Sequence, residues 1–365
     1  MTLCAAWVRN GQGDEGEELV FATDSRLGGG EAWDSGIKLF DLGRSDCLLC
    51  FTGVTTRAYP LILQSGNLKR LNVGWSDPRL DLYDVLESIC NLFTDVCAGV
   101  KGVPKGAPFL TGDDYVDFLF GGWSWRRQHF GIWKIYYEPA LAAFIHEKIE
   151  KPGRNFEFLG DNIAEAEELL KDDIKNSPNL LTGLLDMEPF HVLSIMARDR
   201  KRYPTIGGAL QVAKVYRSGN SEFFGVMYPS VMNGKPHFLG REVNTYDAPP
   251  MRLLDPDTTG FVENLPGTFD DLEDYDFGDE MKFVRDCYPE RKLKPTLSES
   301  QRKRLRRIFR DQAYRDFVAQ REKAEGDASA DEDVEQIFQD EGSDKHQTGE
   351  ANASSVGLEE GASHE

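Results

Sequence analysis

Apolar and polar positions alternate in blocks along the first part of the chain. An apolar run at residues 3–8 is followed by a polar turn, and a second apolar run at 19–23 ends in the polar triplet 24–26. Two short apolar runs around a polar turn predict a β-hairpin. Further short apolar stretches at 37–40 and 47–51 predict a third and a fourth strand.

The middle of the chain has helical spacing, followed by two more strand-like runs. Residues 80–100 carry apolar side chains three and four positions apart, which predicts a long amphipathic helix. With a shorter helix expected at 56–68, it would form one helical layer. Aromatic-rich runs at 118–123 and 131–137, joined by a polar loop, predict consecutive strands.

The second half of the chain continues this order of elements. We expect a strand at 155–159, a helix rich in Glu and Leu at 163–174, a further helix at 207–216 and a returning strand at 221–228. Strands, two helices, strands, two helices and strands follow one another. This order predicts an α+β fold, a four-layer αββα sandwich.

The first residues suggest a chemical role. Thr2 stands directly behind Met1, and cytosolic processing removes Met before a small residue. The mature chain is therefore expected to begin with a hydroxyl and a free α-amine on the same residue, which supplies a nucleophile and a base together. An α-amine has an ordinary pKa of about 7.7–8.0, near working pH.

Three more residues follow Thr2 in a suggestive order: Asp24 after the second strand, Lys38 in the third, and Gly53 after the fourth. This order resembles the N-terminal-nucleophile hydrolases of the proteasome β-subunit family. Within the family, the likeness is greatest to the bacterial HslV-like and Anbu-type members. It is strong over residues 2–60 and weaker to about residue 235.

The resemblance implies a role for each residue. Thr2 would attack a peptide carbonyl, and its own α-amine would carry the proton. Lys38 would be the electrostatic partner, and Asp24 would orient it. The backbone N–H of Gly53 would stabilise the oxyanion.

Taken singly, each residue has a structural explanation. Thr is common at position 2, and Asp24 could cap a turn through its side chain. Lys38 could be an exposed strand lysine, and Gly53 an ordinary glycine between a strand and a helix. The order and spacing of all four together favour the catalytic interpretation.

The chain departs from the family pattern at two places. Where the family has Gly-Ser-Gly before its third helix, residues 160–162 read Gly-Asp-Asn. Asp161 could replace the serine as acceptor for the amine, although a carboxylate would raise the pKa of that amine. Where the family has Arg-Asp-x-x-Ser-Gly after its fourth helix, Ser218 matches the serine, but Lys214 falls near the place of the Asp.

Composition divides the chain into three parts. The formal net charge of −20 over 365 residues is unevenly distributed. Residues 2–290 are expected to form one domain, in which the stretch 176–204 is longer than the family needs and could cover a subunit contact. Residues 291–325 predict a basic amphipathic helical extension. Residues 326–365 hold twelve acidic residues against one lysine, which predicts a disordered tail.

The basic extension has two interpretations. It could bind nucleic acid or a membrane surface, or its apolar stripe could pack on the domain or on a neighbouring subunit, and we favour packing. A net-negative protein with one basic helix is a poor nucleic-acid binder. The helix could also bind a regulatory partner.

The sequence predicts no cofactor and no metal. The six cysteines have no partners at metal-ligand spacing, and Cys47 and Cys50 would point to opposite faces of a strand. There is no phosphate-binding loop and no apolar run long enough to cross a membrane. We expect a cytoplasmic protein.

Three functional hypotheses remain. The first is a threonine-type peptidase that acts on polypeptides and assembles with itself into rings or spirals, as the resemblance implies. The second is a catalytically weak or inactive scaffold subunit of the same fold. The third is an amidohydrolase of small molecules.

Overall fold

The structure of the protein is a computed structural model. It describes residues 2–10, 16–28, 31–71, 73–77, 79–103, 109–150, 155–175, 185–231, 233–243 and 251–262, then residue 265, residues 277–294 and most of 297–321. The chain divides into two compact units, Met1–Val262 and Glu263–Glu365. The predicted domain boundaries at 290 and 325 stay predictions.

The described part of the first unit is a mixed α/β fold. Its strands are β1 (Leu3–Asn10), β2 (Glu17–Thr23), β3 (Leu39–Phe40), β4 (Cys47–Gly53), β5 (Val116–Ser124), β6 (His129–Glu138), β7 (Ala143–Lys148), β8 (Phe156–Gly160), β9 (Gln211–Tyr216), β10 (Ser221–Tyr228), β11 (Lys235–Phe238), β12 (Arg241–Glu242) and β13 (Leu253–Leu254). Its α-helices are α1 (Thr55–Leu71), α2 (Leu82–Ala98), α3 (Ile163–Lys175) and α4 (Glu188–Arg198).

The strands form two sheets. The first has the order β12-β11-β10-β9-β2-β1-β8, with β13 added in parallel to β10. The second has the order β3-β4-β5-β6-β7, and all its pairs are antiparallel. Because β1 lies between β2 and β8, the start of the chain is held between other strands.

Alternate residues of β1 belong to different apolar clusters. Leu3, Ala5 and Trp7 pack in a cluster with buried residues of α3 and α4. Cys4 and Ala6 pack in a second cluster, with residues of the other sheet. Successive strand residues point to opposite faces, so a strand covered on both faces becomes one continuous apolar run.

The second sheet has its own helical partners. Leu49 and Phe51 of β4 share a cluster with Leu86 and Phe93 of α2. Asp81 and Asp84 form the predicted start of α2 as a capping box, because the Asp81 N–H donates to the Asp84 carboxylate at 3.0 Å.

Most predicted elements of the first unit are observed, with several differences. Lys38 lies directly before the two-residue strand β3 and not within it. The strands β7, β11, β12 and β13 and the helix α4 were not expected. The predicted helix at 207–216 is wrong, because its second half is the strand β9.

The error at β9 has a physical cause. This strand pairs with β2 on one side and β10 on the other, and residues 211–215 are all buried. Val212 faces the cluster with α3 and α4, whereas Ala213 faces the cluster between the sheets. A strand buried on both faces shows no alternation, so its pattern resembles that of a buried helix.

The insertion proposed at 176–204 stays a prediction, but part of this stretch does not cover a subunit contact. Residues 188–198 form α4, and Phe190, Val192 and Leu193 are completely buried in the core of the first unit. These side chains are therefore not available to another subunit. Residues 176–184 of the stretch lie outside the described residues.

The second unit contains α5 (Met281–Cys287) and helical residues between 300 and 321. A capping box formed by Ser298 and Gln301 precedes these helical residues. The Gln301 N–H donates to Ser298 Oγ at 3.3 Å, and the Ser298 N–H donates to Gln301 Oε1 at 2.9 Å. Leu305 and Ile308 pack against α5. The predicted disordered tail at 326–365 lies outside the described residues. Among the described helices, none is both long and apolar enough to cross a membrane.

Candidate functional site

The fold brings Thr2, Asp24 and Lys38 into contact. Thr2 precedes β1 and Asp24 follows β2, and the antiparallel register places Cys4 opposite Thr23. The start of one strand and the end of the other therefore meet. The Lys38 ammonium enters from the segment before β3 and donates to Thr2 Oγ1 and, at 2.9 Å, to Asp24 Oδ1.

The Asp24 carboxylate is held by backbone groups as well as by Lys38. Its Oδ1 also accepts the Leu3 N–H at 3.2 Å, and its Oδ2 accepts the N–H groups of Arg26 and Gly207, each at 3.0 Å. Donors from three chain segments thus orient one carboxylate. The Lys38 ammonium is consequently held at a defined place beside the Thr2 hydroxyl.

The group is buried. Asp24 and Lys38 are 0 % exposed, and Thr2 is 2 % exposed. Taking an ammonium and a carboxylate out of water is costly, and the pair is tolerated only when the geometry is good and the remaining hydrogen bonds are made. Lys38 is therefore not the exposed strand lysine that its sequence context also allowed.

Gly53 is the last residue of β4 in the second sheet, and its backbone conformation requires glycine. Its φ is +99°, and a Cβ there would lie 2.2 Å from the carbonyl oxygen of Tyr115. The preceding residue, Thr52, approaches Thr2 from this side. An ideal Cβ on Gly160 would lie 1.9 Å from the Thr2 carbonyl oxygen and 2.9 Å from Thr52 Oγ1.

Asp161 lies directly beside Thr2. Leu3 pairs with Gly160 at the end of β8, and the Asp161 N–H donates to the Thr2 carbonyl oxygen at 2.8 Å. Asp161 Oδ2 is buried and has no hydrogen-bond partner among the described residues. Buried polar atoms in proteins nearly always have a partner, so an acceptor of this kind next to Thr2 is a notable feature.

Replacement of Gly160 by Ala is expected to destabilise the protein. The added Cβ would collide with the Thr2 carbonyl oxygen, and the φ of +120° is strained for any other residue. We expect a loss of about 1–3 kcal/mol in the free energy of unfolding, measured by denaturant titration.

The matched control for this prediction is Gly66→Ala in α1, where a Cβ meets nothing within 4 Å. Removing a glycine from a helix should leave stability unchanged or raise it by up to about 1 kcal/mol. If Gly160→Ala is as stable as Gly66→Ala, the close approach of Gly160 to Thr2 is not real.

The structure does not bring Ser218 to the site. It lies in the turn between β9 and β10, where its side chain is exposed and its Oγ accepts from Asn220 Nδ2. β9 starts at Gln211, opposite Thr23, and ends at Tyr216, opposite Glu18. Ser218 is therefore at the far end of the sheet, on the order of 20 Å away at strand rise. The misplacement follows from the wrong helix at 207–216.

The segment that does reach the site is the loop before β9. Its Gly207 N–H donates to Asp24 Oδ2 at 3.0 Å, and its Gly207 carbonyl accepts from the Ser25 N–H at 2.9 Å. Gly208 has a φ of +74° and no room for a side chain, because a Cβ would lie 2.4 Å from the Asp34 carbonyl oxygen. The Gly-Gly pair was the sequence signal for this close approach, and it was missed.

Tyr115 is a second residue that the sequence reasoning missed. Burial raises the pKa of its hydroxyl above the ordinary value; the neighbouring Thr52 acts in the opposite direction, and the charge of Asp161 adds to the increase. The hydroxyl is thus beside Thr52 and within the electrostatic reach of Asp161. It belongs to the polar surroundings of Thr2.

The cysteines lie away from any metal-like arrangement. Cys47 packs in the cluster with α2 and Cys50 in the cluster between the sheets, so their side chains point to opposite faces of β4, as predicted. Burial raises the pKa of both thiols well above its ordinary value. Within the described residues, no three His, Cys, Asp or Glu side chains are grouped so that they could hold a metal ion.

Comparisons with known proteins give little beyond the structure itself. No protein-family model matches the chain, and no curated protein matches it. Among solved structures, the chain is similar to "Helical Assembly of the Anbu Complex from Pseudomonas aeruginosa", with 18% identity, a TM-score of 0.42, and coverage of 67% of this chain and 89% of the other. Likeness at this level does not assign the chain to a family.

Proposed function

We propose that the protein is a threonine-type N-terminal-nucleophile hydrolase of peptide or amide bonds, with Thr2 as the nucleophile. One observation carries the proposal: a buried Lys38 ammonium bridges the Thr2 hydroxyl and the Asp24 carboxylate. A lysine this deeply buried, paired on one side and directed at a hydroxyl on the other, is typical of an activated nucleophile.

The reaction requires Thr2 to be the first residue of the mature chain. Its free α-amine then takes the proton from Oγ1 as the oxygen attacks the substrate carbonyl carbon. The C–N bond breaks as the amine passes that proton to the leaving nitrogen, which departs as a free amine. The acyl group remains as an ester on Oγ1 until water, activated by the same α-amine, releases it as a carboxylic acid.

Lys38 acts on both partners of the proton transfer. Its positive charge stabilises negative charge that develops on Thr2 Oγ1. It also lowers the pKa of the nearby α-amine by like-charge repulsion, so that more of the amine is in the basic form. Because the site is buried, neither effect is strongly screened by water.

Asp161 and Gly53 are the remaining residues of the proposed catalytic site. The unpartnered Asp161 Oδ2 would accept a hydrogen bond from the α-amine and direct the amine at Oγ1. Its negative charge would oppose the effect of Lys38 on the pKa of the amine. The Gly53 N–H, at the end of β4, would donate to the oxyanion.

The proposal includes the fold class and the assembly. Three apolar clusters, one between the sheets and one beneath each helix pair, support an α+β four-layer αββα sandwich. Polypeptide substrates and self-assembly into rings or spirals belong to the proposal because the sequence resemblance implies them. The cytoplasmic location and a partner for the extension at 291–325 belong to it on the composition and the apolar stripe of the sequence alone.

The test is the intact mass of the purified protein before and after incubation with a peptide epoxyketone. This reagent closes a ring with a threonine hydroxyl and the free amine of the same residue. We expect the mass of a chain whose first residue is Thr2, and a single adduct that maps to Thr2. A free Thr2 that takes no adduct would favour a scaffold subunit instead.

A further inference from the structure

We propose that Gln211 is a positioning residue of this site: its side-chain amide sets the position of Lys38 relative to Asp24. The inference rests on the proposed function, since it concerns the residues that would carry the reaction. Gln211 opens β9, lies opposite Thr23, and is completely buried.

Both polar atoms of the Gln211 side-chain amide form two hydrogen bonds each. Its Oε1 accepts the backbone N–H of Lys38 at 3.0 Å and that of Leu39 at 3.3 Å. Its Nε2 donates to Ser25 Oγ at 3.0 Å and to the Gly36 carbonyl oxygen at 2.7 Å. One side chain therefore links the segment that carries Lys38 to the residue that follows Asp24.

The topology explains why a side chain is needed here. β3 is a two-residue edge strand, and among the described strands it pairs with β4 alone. On its other side, no described strand accepts the N–H groups of Lys38 and Leu39. Gln211 supplies those hydrogen bonds from the neighbouring sheet. Its acceptor and its donor are both required, and glutamine offers the two on one planar group.

The same cluster is tied together by backbone bonds. The Gly36 N–H donates to the Ser25 carbonyl at 2.9 Å, and the Ser25 N–H donates to the Gly207 carbonyl at 2.9 Å. Ser25 Oγ donates to the Ala209 carbonyl. Gln211 is thus the central side chain of a network that reaches both Lys38 and the loop that holds Asp24.

A change at Gln211 should act on catalysis through Lys38. In reactions that depend on positioning, a displacement of about 1 Å costs on the order of 10²-fold in rate. Gln211 does not touch Thr2, so its loss should lower kcat and leave KM nearly unchanged. If the ammonium moves away from the α-amine, the pKa of the amine rises, and the acid limb of the pH profile shifts to higher pH.

Several charged or titratable groups lie next to Thr2 or act on the Asp24–Lys38 pair. They are Lys38, Asp24, Asp161, Tyr115, Cys4, Arg26 and Asp34. Of these, only Lys38 has its backbone bound by Gln211. The direction of the pH shift therefore reports on Lys38.

The experiment compares Gln211→Met with the unaltered chain and with Ser124→Ala. Ser124 is a buried residue at the other end of β5, and its hydroxyl donates to the Asp81 carboxylate at 2.9 Å. Its loss removes buried hydrogen bonds without touching the site. Turnover of a model peptide is measured from pH 5 to pH 10, together with thermal unfolding of each variant.

For Gln211→Met we expect at least a tenfold lower kcat, a KM within about twofold, and an acid limb displaced to higher pH. Ser124→Ala should keep the position of the acid limb, whatever its stability. A Gln211→Met profile that falls only in amplitude, in proportion to the unfolded fraction, would overturn the inference. If Gln211→Met does not fold, Gln211→Asn keeps a neutral amide on a side chain one methylene shorter, which no longer reaches the Lys38 segment, and the same displacement is expected.

The two proposals fail in different ways. Turnover by Thr2→Ala overturns the proposed function and this inference with it. Full Thr2-dependent turnover by Gln211→Met, with an unshifted acid limb, overturns only the role of Gln211.

Discussion

Replacement of Thr2 by Ala is expected to abolish hydrolysis, with a fall in kcat of about 10⁴-fold or more. The substitution removes the attacking oxygen and leaves the α-amine, so the loss should be of the size seen when a nucleophile is deleted. The measurement is turnover of a fluorogenic model peptide at saturating concentration.

Two variants make this result specific. Thr2→Ser keeps a hydroxyl beside Lys38 and should retain measurable turnover. Ser218→Ala alters an exposed serine at the far end of the sheet, and it should leave the rate within about twofold. Turnover by Thr2→Ala at the rate of the unaltered chain would contradict the assignment of the nucleophile.

Replacement of Lys38 by Ala should damage both activity and stability. Activity should fall by at least about 10²-fold, as for the loss of an acid–base partner. The Asp24 carboxylate would be left buried without its cation, and breaking a buried pair in this way destabilises a protein by about 3–5 kcal/mol. Denaturant unfolding and kcat, measured on the same preparation, test the two effects.

A double variant separates the two effects of Lys38. Lys38→Met combined with Asp24→Asn removes both charges and fills the space. It should recover part of the lost free energy of unfolding, because no unpaired charge remains buried, although an amide NH2 cannot accept the backbone N–H bonds of one carboxylate oxygen. It should not recover activity. Recovery of turnover in the double variant would mean that Lys38 serves the fold and not the reaction.

The stability of the site and its chemistry rest on the same contacts. Asp24 accepts hydrogen bonds from Leu3, Arg26 and Gly207 as well as from Lys38. Such a carboxylate both holds the loop before β9 in place and orients the ammonium. We therefore expect variants around Asp24 to change activity and the free energy of unfolding together.

Several elements could be predicted because their patterns are local. The hairpin of β1 and β2 follows from two apolar runs and a polar turn, and α2 follows from its apolar spacing. The candidate residues Thr2, Asp24 and Lys38 were selected by their order among these elements, which carries the resemblance. Strand ends that meet in a hairpin bring their flanking residues together.

Other elements could not be predicted, because their character depends on what covers them. β9 is buried on both faces and therefore lacks alternation, and α4 lies in a stretch whose apolar residues equally suited a surface contact. Because of the error at β9, Ser218 was assigned to the site and the contact between Gly207 and Asp24 was not predicted. Gln211 was missed because its partners are at positions 25, 36, 38 and 39, far away along the chain.

By itself, the sequence determined the hairpin that opens the chain, the order of most strands and helices, and the order of Thr2, Asp24, Lys38 and Gly53 among the first four strands. These features depend on short-range spacing, which is complete within each segment. Only the tertiary structure decided that Lys38 is buried against Thr2 and Asp24, that Asp161 and Tyr115 surround them, and that Gln211 joins the two sheets beside them. Those contacts depend on how the strands of the two sheets lie against one another, and that arrangement arises from burial over the whole unit.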